Sequence, residues 1–199
     1  MRKVVLSALF VAGALAINAQ KVNDVQKLYA QNKNAEAKEM IDKILATDKG
    51  QKDANAWYYK AVVYNRLAKD TTVDNSALRL EALNAYKKYQ EMDPKNVMGT
   101  LEQNVTPFDI YSDYYNGAIK LHNSKNYAKA SEFYKNALDA QQYIHSKKLE
   151  YNGQMLPALD TALTLYAGSA AYLAGDTAAG ITYFQRLADA KVGGKEYLD

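Results

Sequence analysis

The chain has 199 residues, a formal net charge of +3 and no cysteine. The lack of cysteine excludes disulfides, thiolate metal sites, cysteine nucleophiles and a lipid-modified N-terminal cysteine. The positive charge is small and forms no basic stripe, so we expect no binding of nucleic acid. This length fits one domain, two small ones, or a solenoid of three or four repeats.

Residues 1–19 are typical of a secretory signal peptide. A basic start at residues 2–3 is followed by an apolar run over residues 4–17, which is too short to span a bilayer comfortably. Cleavage is expected after Ala19, with Ala16 as the alternative site. The end of the segment, Asn-Ala-Gln, resembles export signals of Bacteroidetes bacteria. We therefore expect a protein of the periplasm or cell surface, with no membrane span in the mature chain.

A first pair of helices is predicted over residues 21–50. Apolar residues recur at helical spacing in two stretches, which are separated by a turn at residues 32–34. Gly50 is the expected end of the second helix. The apolar positions are Val25 and Leu28 in the first stretch and Ala37, Ile41 and Ile44 in the second.

A second pair is predicted over residues 54–96 and has the clearest pattern. A large residue, a small one and a large one follow each other at i, i+4 and i+7 of the first helix, and the second helix carries a small residue followed by two large ones. Asp93-Pro94 ends the second helix, because proline cannot donate the next backbone hydrogen bond. The stripes are Trp57, Ala61 and Tyr64, then Ala82, Tyr86 and Tyr89.

This pattern resembles the tetratricopeptide repeat, whose signature is W-x2-L-G-x2-Y, then A-x3-F, then P within about 34 residues. Lys60 departs from the signature at its leucine, and the turn near residues 68–76 is about nine residues longer than in the family. The resemblance implies an all-α fold, an α-solenoid of antiparallel helix pairs wound as a right-handed superhelix over residues 20–192. The matching residues are Trp57, Ala61, Tyr64, Ala82, Tyr86 and Pro94.

A third repeat is predicted over residues 108–142, after a connector at residues 97–107, for which a short helical turn is an alternative to an irregular loop. Its turn, at residues 123–126, has the length that is usual in the family. Residues 143–160 break the period, with a turn at Asn152-Gly153 and with Pro157 in the first turn of a helix. The stripes of the third repeat are Tyr114, Ala118 and Leu121, then Ala130, Tyr134 and Ala137.

A fourth repeat is predicted over residues 159–191, with its turn at residues 174–176. Gly180 stands where the family has alanine, which permits close approach of the helices. Residues 193–199 are a tail or the start of a further repeat. We expect either that the chain is the N-terminal part of a longer multidomain protein or that a partner, such as a second copy, covers this end. The remaining stripe positions are Gly168, Tyr172, Phe184 and Leu187.

Catalytic and metal-binding motifs are missing from the sequence. His122 and His145 are the only histidines, and their spacing fits no metal motif. No nucleophile elbow, phosphate-binding loop or dinucleotide fingerprint occurs. We therefore expect no enzymatic activity, no cofactor and no metal.

The resemblance implies a protein or peptide partner, bound on the concave face that the first helix of each repeat lines. Seventeen tyrosines are present, and most are expected to pack between helices. An alternative is a glycan-binding module of an outer-membrane uptake system, since sugars stack on exposed rings. The outward positions on the first helices are Tyr29, Asn55, Tyr58, Asn65, Arg66, Tyr115, His122, Asn123 and Tyr172.

Three Asp-Thr triplets resemble the sites at which Bacteroidetes attach O-glycans to exported proteins. The candidate acceptors are Thr71, Thr161 and Thr177, each of which follows an aspartate. Helix capping and turn formation by Asp and Thr provide a second interpretation of the same residues, and the one favoured at each site.

Overall fold

The computed structural model describes residues 21–69 and 75–190. The predicted signal peptide, Thr71 and the tail at 193–199 lie outside these ranges. The described residues are mostly helical, which confirms the predicted all-α class. None of the helices within them is both long and apolar enough to cross a membrane. The chain divides into two compact units between Leu101 and Glu102.

The first unit contains the two predicted helix pairs and one short helix. Helix α3 packs against both α2 and α4. The turn at residues 31–33 and the long connection after residue 67 lie where the sequence predicts them. The elements are α1 at 21–30, α2 at Asn34–Leu45, a 3-10 turn at Gly50–Lys52, α3 at Ala54–Leu67, α4 at Ser76–Met92 and α5 at Val97–Leu101.

Small residues bring α3 and α4 together and tyrosines fill the space around them. Ala61 and Ala82 are fully buried, and Tyr64 is almost fully buried. Lys60, which departs from the repeat signature, has a structural role: its Nζ lies 3.1 Å from Glu81 on α4 and 4.8 Å from the centre of the Tyr64 ring. The ion pair with Glu81 therefore joins α3 to α4, and the cation–π contact with Tyr64 lies within α3.

Two sequence predictions for the first unit need correction. The second helix ends at Leu45 rather than at Gly50, which begins a 3-10 turn. A Cβ at Gly50 would lie 1.9 Å from the carbonyl oxygen of Ile44, so close approach of the backbone requires glycine there. The predicted connector at 97–107 contains α5, and the next helix already begins at Val105.

Tyrosine hydroxyls on α4 hold α5 in place. The Tyr89 hydroxyl accepts a hydrogen bond from the backbone N–H of Met98 at 2.8 Å. A Cβ at Gly99 would lie 2.2 Å from the Tyr86 hydroxyl, so α5 approaches α4 through a glycine. A short helical turn was an open alternative for this connector; periodicity alone could not place it, because the helix is short and centred on glycine.

The second unit has four helices within the described residues and a small hairpin between the second and the third of them. Helix α7 packs against α6 and α8, and α8 packs against α9. The elements are α6 at Val105–Asn123, α7 at Tyr127–Ser146, β1 at Glu150–Tyr151, β2 at Gln154–Met155, α8 at Thr161–Leu173 and α9 at Thr177–Asp189.

The segment between α7 and α8 differs from the prediction at one proline. Asn152 and Gly153 form the expected turn, and both have positive φ angles in the antiparallel hairpin. Pro157, however, precedes α8 and is outside it. Its carbonyl oxygen accepts a hydrogen bond from the amide Nε2 of Gln141, and the carbonyl of Leu156 lies 2.9 Å from Nδ1 of His145. Two polar residues of α7 therefore tie this segment to the helix.

Helices α8 and α9 approach through glycines and run antiparallel. A Cβ at Gly168 would lie 2.6 Å from Cε1 of Phe184, and a Cβ at Gly180 would lie 3.1 Å from Cβ of Tyr172. The close approach that the sequence predicts for Gly180 is therefore present.

Candidate functional site: an aromatic face on α6, α7 and α8

Six aromatic residues of the second unit contact one another and form what we call the aromatic face. Tyr134 of α7 lies between α6 and α8, with its ring centre 6.4 Å from Tyr115 and 6.1 Å from Tyr166. The rings of Tyr134 and Tyr166 are nearly parallel, at 17°. The members are Tyr111, Tyr115, His122, Tyr127, Tyr134 and Tyr166.

His122 joins the rings at the C-terminal end of α6. Its ring meets those of Tyr127, Tyr134 and Tyr166 edge to face, with centres 5.2 to 6.3 Å apart. Its Nδ1 is buried and has no hydrogen-bond partner within the described part of the chain. A buried ring nitrogen of this kind is able to accept or donate one hydrogen bond, depending on its tautomer.

The face is layered from a buried ring to exposed ones. Tyr134 is only 1% exposed, whereas Tyr166, stacked on it, is 45% exposed. Tyr115 and His122 are half-buried. Rings held in this way present area to a partner while their rotamers are already fixed by packing, which lowers the entropic cost of binding.

A carboxylate lies at one edge of the aromatic face. The Tyr111 hydroxyl donates a hydrogen bond of 3.0 Å to Asp160, the N-cap residue of α8. Burial, and then the charge of Asp160, raise the pKa of Tyr111 well above its ordinary value. Burial also raises the pKa of Tyr115, and that of Tyr134 to about 12. These hydroxyls therefore keep their protons at neutral pH and act as hydrogen-bond donors.

The structure brings two of the nine predicted groove residues into the aromatic face, namely Tyr115 and His122. Asn123, the last residue of α6, is exposed. Tyr172 is 57% exposed and lies on α8 beside Gly180.

The predicted groove residues of the first unit are placed differently. Asn55 is exposed, as predicted. The Arg66 guanidinium donates hydrogen bonds of 2.8 Å to both the Asn32 side chain and the Tyr29 hydroxyl, and lies 4.1 Å from the centre of the Tyr29 ring. Arg66 therefore ties α3 to α1 and to the turn that follows it.

Two of the predicted outward positions are wrong. Tyr58 is 1% exposed and Asn65 is 4% exposed. The Tyr58 ring meets the rings of Tyr59 and Tyr89 edge to face, so it packs between α3 and α4. Helix α3 contacts both α2 and α4. These two contacts bury sides of α3 that the repeat pattern predicts to be exposed to solvent.

Four members of the aromatic face were not predicted as site residues. Tyr134 was predicted as core, and its burial agrees with that. Tyr111, Tyr127 and Tyr166 follow no repeat position. The contact of the Tyr166 ring with Tyr134 depends on how α8 packs on α7, whereas Tyr111 and Tyr127 contact rings of α6. The excess of tyrosine was the only sequence feature that indicated them.

The candidate glycan acceptors within the described residues lie at helix starts. Thr161 and Thr177 are exposed and are the first residues of α8 and α9. The preceding aspartates cap these helices: Asp160 accepts from the N–H of Leu163 at 2.9 Å, and Asp176 accepts from that of Ala179 at 3.0 Å. Capping thus occurs at both triplets, while glycosylation stays a prediction.

Metal ligands do not cluster in residues 21–69 and 75–190: no group of three or more His, Asp or Glu side chains there could hold an ion. No protein-family model matches the chain, and no curated protein matches it at a significant level. The tetratricopeptide resemblance therefore rests on the residues that carry it.

Proposed function

We propose that the protein is an exported, non-catalytic scaffold of tetratricopeptide-like repeats that binds an extended polypeptide on the aromatic face. The observation that carries the proposal is the face itself: half-exposed rings fixed by a buried tyrosine beneath them. Tyrosine is enriched where proteins bind one another, because it offers large contact area and a polar tip at low entropic cost.

The repeat assignment is supported by spacing within the second unit. Small residues stand twelve positions apart in each helix pair, as Ala118 and Ala130 in one and as Gly168 and Gly180 in the other. Four residues after the second small residue, each pair has an aromatic ring, Tyr134 or Phe184. A recurring pattern that sets both close approach and ring position is what an α-solenoid of stacked helix pairs needs.

An extended polypeptide suits the chemistry of the face. Neutral tyrosine hydroxyls are able to donate hydrogen bonds to backbone carbonyls of the ligand. The rings supply apolar area to the side chains of the ligand. The proposed location, periplasm or cell surface, follows from the predicted signal peptide.

A glycan is the second candidate ligand. A sugar is able to stack on the exposed ring of Tyr166, and the Asp160 carboxylate near Tyr111 is able to accept a hydrogen bond from a sugar hydroxyl. Titration with neutral oligosaccharides distinguishes the two ligands: saturable changes in tyrosine fluorescence with oligosaccharides, and none with peptides, would favour the glycan.

The proposal is tested by capture from an envelope extract, with the chain from Gln20 as bait. A Tyr115→Ala, Tyr166→Ala variant should lose the captured partner while it keeps the helical circular dichroism of the wild type. Tyr151→Ala is the matched control, because Tyr151 is half-buried in the hairpin and its ring contacts Phe108, outside the face. Equal capture by all three proteins would contradict the proposal.

A further inference from the structure

The tripeptide Tyr-Asn-Gly occurs twice in the sequence, and the structure gives its two copies different backbones. Asn152 and Gly153 form the two-residue turn between β1 and β2, whereas Asn116 and Gly117 lie within α6. Both asparagines are exposed. An asparagine before glycine is prone to lose its side-chain amide, because glycine has no side chain to hinder the backbone nitrogen that attacks it. The two copies therefore carry the same local chemistry in two backbone settings.

In the hairpin the attacking nitrogen is free to react. Within residues 21–69 and 75–190, no hydrogen bond joins the Gly153 N–H or the Asn152 side chain to another residue. A Cβ added at Gly153 would meet nothing within 4 Å, so no neighbouring group crowds the reaction. Water therefore has access both to the nitrogen that attacks and to the amide that leaves.

The hairpin turn also allows the rotation that the reaction needs. The φ angles of 52° at Asn152 and 73° at Gly153 are both positive, which is the signature of a type I′ turn. A flip of the peptide between these residues gives type II′, the other two-residue hairpin turn, in which ψ of the first central residue is about −120°. At that angle the Gly153 nitrogen faces the Asn152 side chain, as closure of a five-membered ring requires. The strand pairing beside the turn suits both turn types.

The same rotation at Asn116 would break α6. The N–H of Gly117 lies in the interior of this helix, where the helical pattern directs it to the carbonyl four residues earlier. Turning this peptide breaks helical hydrogen bonds on both sides of it. Gly117 also lies against α7, since an added Cβ would be 2.9 Å from Cδ1 of Phe133. The helical copy therefore has to open locally before its ring closes.

We propose that Asn152 is a site of spontaneous deamidation and that α6 protects Asn116 from it. The Gly153 nitrogen gives up its proton to water and attacks Cγ of Asn152, so that an N–Cγ bond forms, the Cγ–Nδ2 bond breaks and ammonia leaves with a proton from water. Water then hydrolyses the cyclic imide at either carbonyl carbon, which gives aspartate or isoaspartate. The turn gains a negative charge, and isoaspartate adds one backbone atom to a loop whose length sets the strand register. The modification does not depend on the proposed function.

The first test compares the two copies within one molecule. The chain from Gln20 is incubated at mildly alkaline pH, and peptide mapping measures the rate at which each asparagine gains about 1 Da. In the folded chain Asn152 should convert at least about tenfold faster than Asn116, because only the helical copy has to open first. In guanidinium chloride the two rates should become similar, since the tripeptides are identical. Equal rates in the folded chain, or a ratio that unfolding leaves unchanged, would overturn the proposal.

The second test identifies the residue and the intermediate. Asn152→Gln should abolish the gain in mass at the hairpin, because glutamine would have to close a six-membered ring, which forms far more slowly. A gain equal to that of the wild type would overturn the proposal, since Gln154 would then be the modified residue. The converted wild type should contain isoaspartate at this site, seen as a second peptide of the same mass that elutes separately. Aspartate alone would overturn the cyclic route through the Gly153 nitrogen.

Discussion

Tyr166 lies flat against Tyr134, with their ring centres 6.1 Å apart and their planes at 17°. One contact thus has two effects: it buries the Tyr134 ring in the core of the second unit, and it holds the half-exposed Tyr166 ring in a fixed position. The stability of the α7–α8 contact and the shape of the aromatic face therefore depend on the same pair of residues.

The pair should show a favourable coupling energy. In a double-mutant cycle with Tyr134→Leu and Tyr166→Leu, measured by chemical unfolding, we expect the double variant to be destabilised by about 0.5 to 1.5 kcal/mol less than the sum of the two single effects. The control cycle replaces Tyr134→Leu by Tyr151→Leu, whose ring contacts Phe108 instead, and should give a coupling near zero. Equal couplings in both cycles would mean that the stack contributes nothing specific.

Gly168 should resist substitution because the Phe184 ring lies over it. Gly168→Ala is expected to destabilise the protein by about 1 to 3 kcal/mol, the usual cost of overpacking, although alanine favours a helix. In a Phe184→Ala background the same substitution should be neutral or stabilising, since the atoms within 3.1 Å of the new Cβ belong to that ring. A Gly168→Ala effect that is the same in both backgrounds would show that the ring is not the cause.

The two capping aspartates, Asp160 and Asp176, should contribute differently to the free energy of unfolding. Asp176→Ala should lower the free energy of unfolding by about 1 kcal/mol, the usual value of an N-cap. Asp160→Ala should cost about 1 kcal/mol more, because it also removes the acceptor for the Tyr111 hydroxyl. Tyr111→Phe should abolish this difference in chemical unfolding; if it persists, the Tyr111 contact is not its source.

Much of the helical framework could be predicted from the sequence, because proline, glycine and spacing act locally. Asp93 lies at the end of α4, and Ala174 to Asp176 lie at the turn between α8 and α9, as the local pattern indicates. A short helical turn was an open alternative for the connector, but the sequence could not place helix α5, because tyrosine hydroxyls from another helix hold it rather than its own pattern.

The candidate site was less accessible to sequence reasoning. Tyr58 and Tyr115 are both tyrosines on the first helix of a repeat, yet one is buried and the other half-exposed. The difference comes from which neighbouring helices pack beside them, and that is a tertiary property. Tyr166 could not be assigned for the same reason, since its role depends on Tyr134 of the preceding helix.

Stability should fall at high pH in a way that Tyr134 in part controls. Its pKa is about 12 in the folded chain and about 10.0 ordinarily, so its contribution is complete below pH 10 and is lost as the pH rises towards 12. When the pH is raised from about 8 to about 11, the melting temperature of Tyr134→Phe should therefore fall by less than that of the wild type. Some loss should remain, because burial raises the pKa of Tyr64 to about 12 as well. An identical fall in melting temperature for the two proteins would contradict a contribution from Tyr134.

The central claim is that a polypeptide partner binds to the aromatic face. Its most direct test is the amount of polypeptide that the chain from Gln20 captures from an envelope extract. We expect the wild type and Tyr151→Ala to retain the same polypeptide, and the folded Tyr115→Ala, Tyr166→Ala variant to lose it. If that variant retains the polypeptide as well as the wild type does, the partner binds elsewhere and the proposed function of the aromatic face is wrong.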